Sequence, residues 1–177
     1  MEMNFIKSPL ETVTVQRLKP EIFQYMGEIT FLMMHSKVHY QYTVSTLKEI
    51  FIDPICLGQV LVYHNADKQP IGVVAWAWLN DELDEQMKTR SIWLKEDDWK
   101  SGKHLWVVEF IAPYGHSQKI GVNLTDKVFP NEIFKSHRTS NNTPGKPFHY
   151  KTWYGKNVAS KPNDQMKKLE GEFNENK

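Results

Sequence analysis

Apolar positions early in the chain recur at a helical spacing. Ile22, Tyr25, Met26, Ile29, Leu32 and Met33 follow the i, i+3, i+4, i+7 rule. Pro20 suits the first helical position, where a missing N–H costs nothing, so the pattern predicts a helix from Pro20. It breaks at residues 35–42 (HSKVHYQY), which read as a loop. A second helix follows, with Thr46 and Glu49 spaced as a capping box and Val44, Leu47, Ile50 and Phe51 on one side. Pro54 is expected to stop it.

The period then changes. Residues 59–64 (QVLVYH) read as a strand and residues 65–69 (NADKQ) as a polar turn. Residues 71–79 (IGVVAWAWL) are β-branched and aromatic and apolar on both faces, the signature of a central strand buried on both sides. Asn80 is the candidate N-cap of a helix, with Asp81 and Glu82 in the first turn, where the helix dipole favours them. A turn at residues 100–103 leads into a strand over residues 104–112 (HLWVVEFIA), ended by Pro113, Tyr114 and Gly115. Residues 117–129 read as a helix with Ile120, Leu124 and Val128 four apart, and Pro130 ends it. Short strands at residues 134–138 and 148–154 complete a sheet. The order ααββαβαββ predicts an α/β domain, a mixed central sheet flanked by helices.

Length and composition narrow the class. The 177 residues are about one domain's worth, and 40% apolar with 24% charged residues is a globular composition. A single domain is expected over residues 1–160, followed by a polar tail over 161–177. The longest apolar run, residues 71–79, is far below the roughly 20 residues of a spanning helix. The first residues lack the basic and apolar regions of a secretion signal, so a cytoplasmic location without stable membrane insertion is expected. One cysteine, Cys56, excludes an internal disulfide and a cysteine-built zinc site. Charge is uneven: residues 79–98 hold seven acidic and three basic side chains, and residues 110–161 hold eight basic and two acidic ones. A basic face of that kind attracts an acidic partner and speeds encounter with it. No nucleic-acid partner is expected.

Several familiar sites are missing. The chain has no GxxxxGK[ST] loop, no GxGxxG fingerprint and no GxSxG elbow. His35 and His39, although four apart, flank a loop and lack a nearby carboxylate, so no metal is expected. Residues 115–121 (GHSQKIG) lie between a strand and a helix, where backbone N–H groups can hold an anion, but lack the second glycine that coenzyme A phosphates usually require. The informative pair is His39, in a polar loop, and Glu109, in the apolar run WVVEFIAP. A glutamate there is costly to bury without a partner. If His39 meets it, the carboxylate fixes the imidazole tautomer and stabilises its charged form. Otherwise Glu109 points outward or pairs with a lysine, and His39 caps a helix.

From Gly27 to Lys156 the chain resembles the toxin-activating lysine acyltransferases of RTX toxins. The similarity is carried by residues 27–39 (GEITFLMMHSKVH), 74–79 (VAWAWL), 96–102 (EDDWKSG), 106–115 (WVVEFIAPYG), 129–134 (FPNEIF) and 154–156 (YGK). The resemblance implies a GNAT-like single domain, often a homodimer. It implies transfer of a fatty acyl group from acyl-acyl carrier protein to internal lysine ε-amines of an RTX protoxin, with no other cofactor. The family's catalytic histidine, as general base or nucleophile, falls on His39 and its serine on Ser36. Its usual aspartate falls on Glu109, a departure that adds on the order of 1.5 Å of reach. Lys119, Lys127 and Arg138, with Lys135, Lys146 and Lys151, are expected to receive the acidic carrier protein. Trp106, with Trp76, Trp78 and Met33, is a candidate wall for the acyl chain. Two alternatives are an enzyme of the same fold using acyl-coenzyme A and a non-catalytic escort that binds the toxin.

Overall fold

The computed structural model describes residues 20–137 and 149–158. The helices are α1 (Pro20–Met34), α2 (Val44–Cys56), α3 (Asp81–Thr89) and α4 (Ser117–Asn123). The strands are β1 (Val60–His64), β2 (Pro70–Leu79), β3 (His104–Ile111), β4 (Ile133–His137) and β5 (Tyr150–Tyr154). They form one sheet in the order β1-β2-β3-β4-β5, antiparallel throughout except for the parallel pair β3–β4. A parallel pair needs a crossover, and α4 with the π-helical segment Leu124–Val128 supplies it. The expected α/β architecture and element order are both present.

Alternation along β2 explains how the layers assemble. Val73 and Ala75 face Ile29, Leu32 and Met33 of α1 and Phe51 of α2. Val74 faces the opposite way, into a cluster with Leu105, Val107, Ile120, Leu124 and Phe134. At its far end Ala77 and Leu79 pack with Met87, Trp99 and Trp106. The strand is therefore buried on both sides, α1–α3 covering one face of the sheet and α4 the other. Among the described residues no helix is long and apolar enough to cross a membrane.

Local expectations are corrected at three places. The N-cap of α2 is Thr43, whose Oγ1 accepts from the Thr46 N–H at 3.1 Å; Thr46 lies inside the helix. Pro54 does not stop α2, which runs on to Cys56. A proline forfeits only its own N–H, and the turn beyond it is closed by Leu57 N–H to the Asp53 carbonyl at 3.0 Å and Gln59 N–H to the Pro54 carbonyl at 2.7 Å. The loop at residues 35–42 contains a single 3₁₀ turn, His39–Gln41. Asn80 caps α3 as expected, accepting from the Leu83 N–H at 2.9 Å. The tail from residue 161, Arg138 and Lys146 lie outside the described residues.

Two irregularities of β3 position the site. Ala75 pairs with Glu109 while the next residue of β2, Trp76, pairs with Val107, so Val108 is the extra residue of a bulge. The pairing with β4 spans only Leu105–Val107 against Phe134–Ser136, although β3 continues to Ile111. β4 ends at His137, one residue beyond the last pair.

Candidate active site

The short turn after α1 sets the first half of the site. Ser36 N–H donates to the Met33 carbonyl at 3.0 Å and Tyr40 N–H to the Ser36 carbonyl at 3.0 Å. In such tight turns side chains three apart lie over one another, which brings Ser36, His39 and Tyr42 to one side. Ser36 Oγ is 2.6 Å from His39 Nδ1, and the Tyr42 ring meets the imidazole edge-on, centroids 5.1 Å apart. His39 itself is buried, 6% exposed.

The sheet supplies the other half. Glu109 Oε1 is 3.1 Å from His39 Nε2 across 70 residues of chain. The same oxygen accepts from the Phe110 backbone N–H at 3.0 Å, and Oε2 accepts from the Tyr42 hydroxyl at 3.5 Å. Three donors converge on one carboxylate, which is how a charged acceptor is held in an apolar strand. A carboxylate only accepts, so Nε2 carries the imidazole hydrogen and Nδ1 is left to accept from Ser36 Oγ–H. Burial, then the Glu109 charge and its hydrogen bond, push the Tyr42 phenol up to about 12, so it stays a donor at any ordinary pH.

Beside Glu109, where β3 runs on past the end of β4, lies a cavity of about 410 Å³. It runs along residues 107–110 between Gly121 and Leu124 on one side and Phe134 and Trp153 on the other. None of Trp76, Trp78, Trp106 and Met33 lines it. Trp106 is fully buried on the α3 side of the sheet, its Nε1 donating to Asp84 Oδ1 at 2.7 Å. Alternation along β3 sets this: Leu105 and Val107 face α4, and Trp106 between them points to the α3 side with its partner Ala77.

The basic residues divide as well. Lys119 and Lys127 are exposed on α4 and the segment after it. Lys135 is instead held by Asp84 Oδ1 at 2.6 Å, and Lys151 lies over the Trp153 ring at 3.3 Å from its centroid. Tyr42, Gly121 and Trp153 were not singled out from the sequence. The three-residue spacing of Ser36, His39 and Tyr42 was the available signal for the first; the other two carry none. Among the described residues no group of three or more His, Cys, Asp or Glu side chains is placed to hold a metal ion.

A five-stranded mixed sheet with one parallel pair, flanked by helices, is a GNAT-like single domain. The chain belongs to the RTX toxin acyltransferase family, whose model matches residues 19–153, and it is an acyltransferase. It is 36% identical over 114 residues to an uncharacterised protein of Synechocystis sp., covering 64% of this chain and 78% of that one. It is 31% identical over 140 residues to the protein-lysine myristoyltransferase RtxC of Kingella kingae, 78% of this chain and 81% of that protein. To the lysine-acyltransferase RtxC of Vibrio cholerae it is 27% identical over 109 residues, 62% and 71% of the two chains.

Proposed function

We propose that this protein transfers a fatty acyl chain from acyl-acyl carrier protein to lysine ε-amines of an RTX protoxin, with His39 as general base. The observation that carries the reading is the engagement of both imidazole nitrogens, Nδ1 with Ser36 and Nε2 with Glu109. A lysine amine of pKa about 10.4 is neutral about once in 2,500 times at pH 7, so catalysis needs a group to take its proton as it attacks. In the proposed step the amine nitrogen bonds to the thioester carbonyl carbon. Its proton passes to Ser36 Oγ as the serine proton passes to His39 Nδ1. The carbon–sulfur bond then breaks, the carrier thiolate leaves, and the imidazolium returns the proton. Glu109 stabilises the imidazolium in between; such base catalysis contributes typically about 10²–10⁴-fold.

The general-base role is favoured over an acyl-imidazole because neither ring nitrogen is free to attack a thioester. Exposed Lys119 and Lys127 suit docking of an acidic carrier. A homodimer fits the exposed apolar side of α1, where Phe23 is 64% and Met34 69% exposed. Intact-mass analysis of an RTX protoxin co-expressed with the wild type and with His39→Ala tests the reading. One acyl chain per modified lysine is expected with the wild type and none with the variant. An unmodified protoxin in both cultures would leave the escort role instead. A trapped His39 adduct after rapid quench with acyl donor alone would overturn the general-base assignment.

A further inference from the structure

The end of α1 with its turn and the end of β3 with its loop touch at two places. One contact is the buried pairing of His39 with Glu109; the other is an exposed aromatic cluster of Phe31, His35 and Tyr114. The His35 imidazole lies 4.5 Å from the Phe31 ring and 5.6 Å from the Tyr114 ring, centroid to centroid. Phe31 and Tyr114 are each 42% exposed. His35 directly precedes Ser36, and of the exposed side chains of that turn it is the one in ring contact with the segment after β3.

The helix end decides how the imidazole presents itself. The last carbonyls of α1 need donors from beyond the helix ladder. The His35 backbone N–H goes to the Leu32 carbonyl at 3.2 Å, and the ring Nδ1–H donates to the Phe31 carbonyl at 2.8 Å. With the hydrogen on Nδ1, the neutral ring keeps a lone pair on Nε2. Among the described residues no hydrogen bond takes that lone pair. An exposed acceptor in contact with two aromatic rings has the chemistry of a site for a primary ammonium. Such a group brings three N–H donors and a charge that ring faces attract.

We propose that His35, with Phe31 and Tyr114, is the site where the acceptor lysine docks as its ammonium before it reaches Ser36. The inference rests on the acyltransferase reading and adds acceptor-binding residues to it. At pH 7 a lysine arrives almost wholly protonated, whereas the Ser36–His39 relay works on the neutral amine. The exposed rings hold the cation one residue from Ser36, so the buried pair does not have to take it in. There the ammonium loses its first proton to water, and the neutral amine moves on to Ser36 Oγ.

The test has a binding arm and a kinetic arm. Long-range nitrogen–proton correlation spectra of the histidine rings are recorded while Nα-acetyl-lysine methylamide is added, and again with its norleucine counterpart, which has the same stem without the ammonium. The His35 Nε2 resonance is expected to move with the lysine compound and to stay still with the other. In steady state, His35→Phe is expected to raise KM for a lysine-bearing protoxin segment about 10-fold, the scale of one hydrogen bond to a charged group. Tyr114→Leu is expected to raise it about 3-fold, the scale of an exposed cation–π contact. KM for the acyl carrier protein stays unchanged in both variants, which damage to the fold would not allow. Equal shifts with both compounds, or KM values that rise together for both substrates, overturn the site. A changed sedimentation coefficient in Tyr114→Leu would assign the rings to contact between copies and overturn it too. If the resonance moves as expected but the wild type acylates no protoxin, the lysine site stands and the acyltransfer reading falls. If transfer proceeds and His35→Phe leaves the segment's KM unchanged, the reading stands and the site falls.

Discussion

Val107 and Glu109 are two residues apart on one strand yet face opposite sides of the sheet. Val107 packs with Ile120 and Leu124 on the α4 side, while Glu109 reaches His39 on the α1 side. The bulge at Val108 causes this: Val107 pairs with Trp76 and Glu109 with Ala75, neighbours that point opposite ways. Bulges recur where a strand must re-aim one side chain. Here the side chain is the one that meets the imidazole.

Glutamate at 109 is matched to this geometry. Its Oε1 sits 3.1 Å from His39 Nε2, on a strand whose backbone is fixed by pairing with β2. Glu109→Asp withdraws the carboxylate by on the order of 1.5 Å. A misplacement of that size costs about 10²-fold in rate. The expected outcome is a loss of at least that size in kcat for acyl transfer. Glu109→Gln keeps the length and removes the charge, and is expected to be worse in kcat than in KM. Steady-state rates with a lysine-bearing protoxin segment decide. An aspartate variant as fast as the wild type would show that the His39 turn moves to meet it.

Ser36 is expected to matter through the proton it passes. Ser36→Ala leaves His39 Nδ1 without its 2.6 Å partner and removes the relay. A fall of about 10²-fold in kcat is the expected scale for losing one proton-transfer element. Tyr42→Phe is milder, under about 10-fold, because His39 and the Phe110 N–H still hold Glu109 while one long hydrogen bond is lost. If Ser36→Ala were as mild as Tyr42→Phe, the proton would reach the imidazole directly.

How far the sequence reveals this site depends on which contacts are local. Helical spacing finds α1, a β-branched and aromatic run apolar on both faces finds β2, and Asn80 announces α3, because each rests on residues within one element. The loop position of His39 and the place of Glu109 within a strand are legible for the same reason. Their meeting is not, since it depends on a bulge that strict alternation does not show. Trp106 is apolar in any sequence scan, yet its indole N–H is taken by the buried Asp84 from 22 residues away. Lys135 counts as surface charge until the same carboxylate is seen to hold it. Pro54 reads as a stop only if the hydrogen bonds closing the turn behind it are left out.

The exposed basic side chains of α4 and the segment after it make a separate prediction. Lys119 and Lys127 are exposed, whereas Lys135 is already paired. Reversing the two exposed charges, Lys119→Glu with Lys127→Glu, is expected to weaken carrier-protein binding about 3- to 10-fold at low salt and to flatten its salt dependence, as for charges at the rim of an interface. Surface plasmon resonance over a salt series measures both. Reversing Lys135 instead is expected to lower stability first. Carrier affinity unchanged at low salt in the double variant would move the docking face elsewhere.

Asp84 is the group through which acid reaches the fold. Its side chain is 3% exposed and accepts from Lys135 at 2.6 Å and from Lys88 at 2.8 Å. Burial alone would raise its pKa, but hydrogen bonds from Lys135, Lys88 and Trp106 outweigh that and hold the carboxyl down to about 2. A carboxyl with a depressed folded pKa contributes stability above its unfolded pKa, near 3.9, and loses it as pH falls through the folded value. The contribution is about 2 kcal/mol at neutral pH, lost between about pH 4 and pH 2. Asp84→Asn is expected to cost about 3 kcal/mol at pH 7, because half-buried Lys135 is left without its anion, while Lys88 keeps Glu85 at 2.6 Å. It also removes this group's share of the acid-induced loss. Urea midpoints at intervals from pH 7 to pH 2 separate the two effects. Parallel curves for wild type and variant would mean that another carboxylate governs acid unfolding.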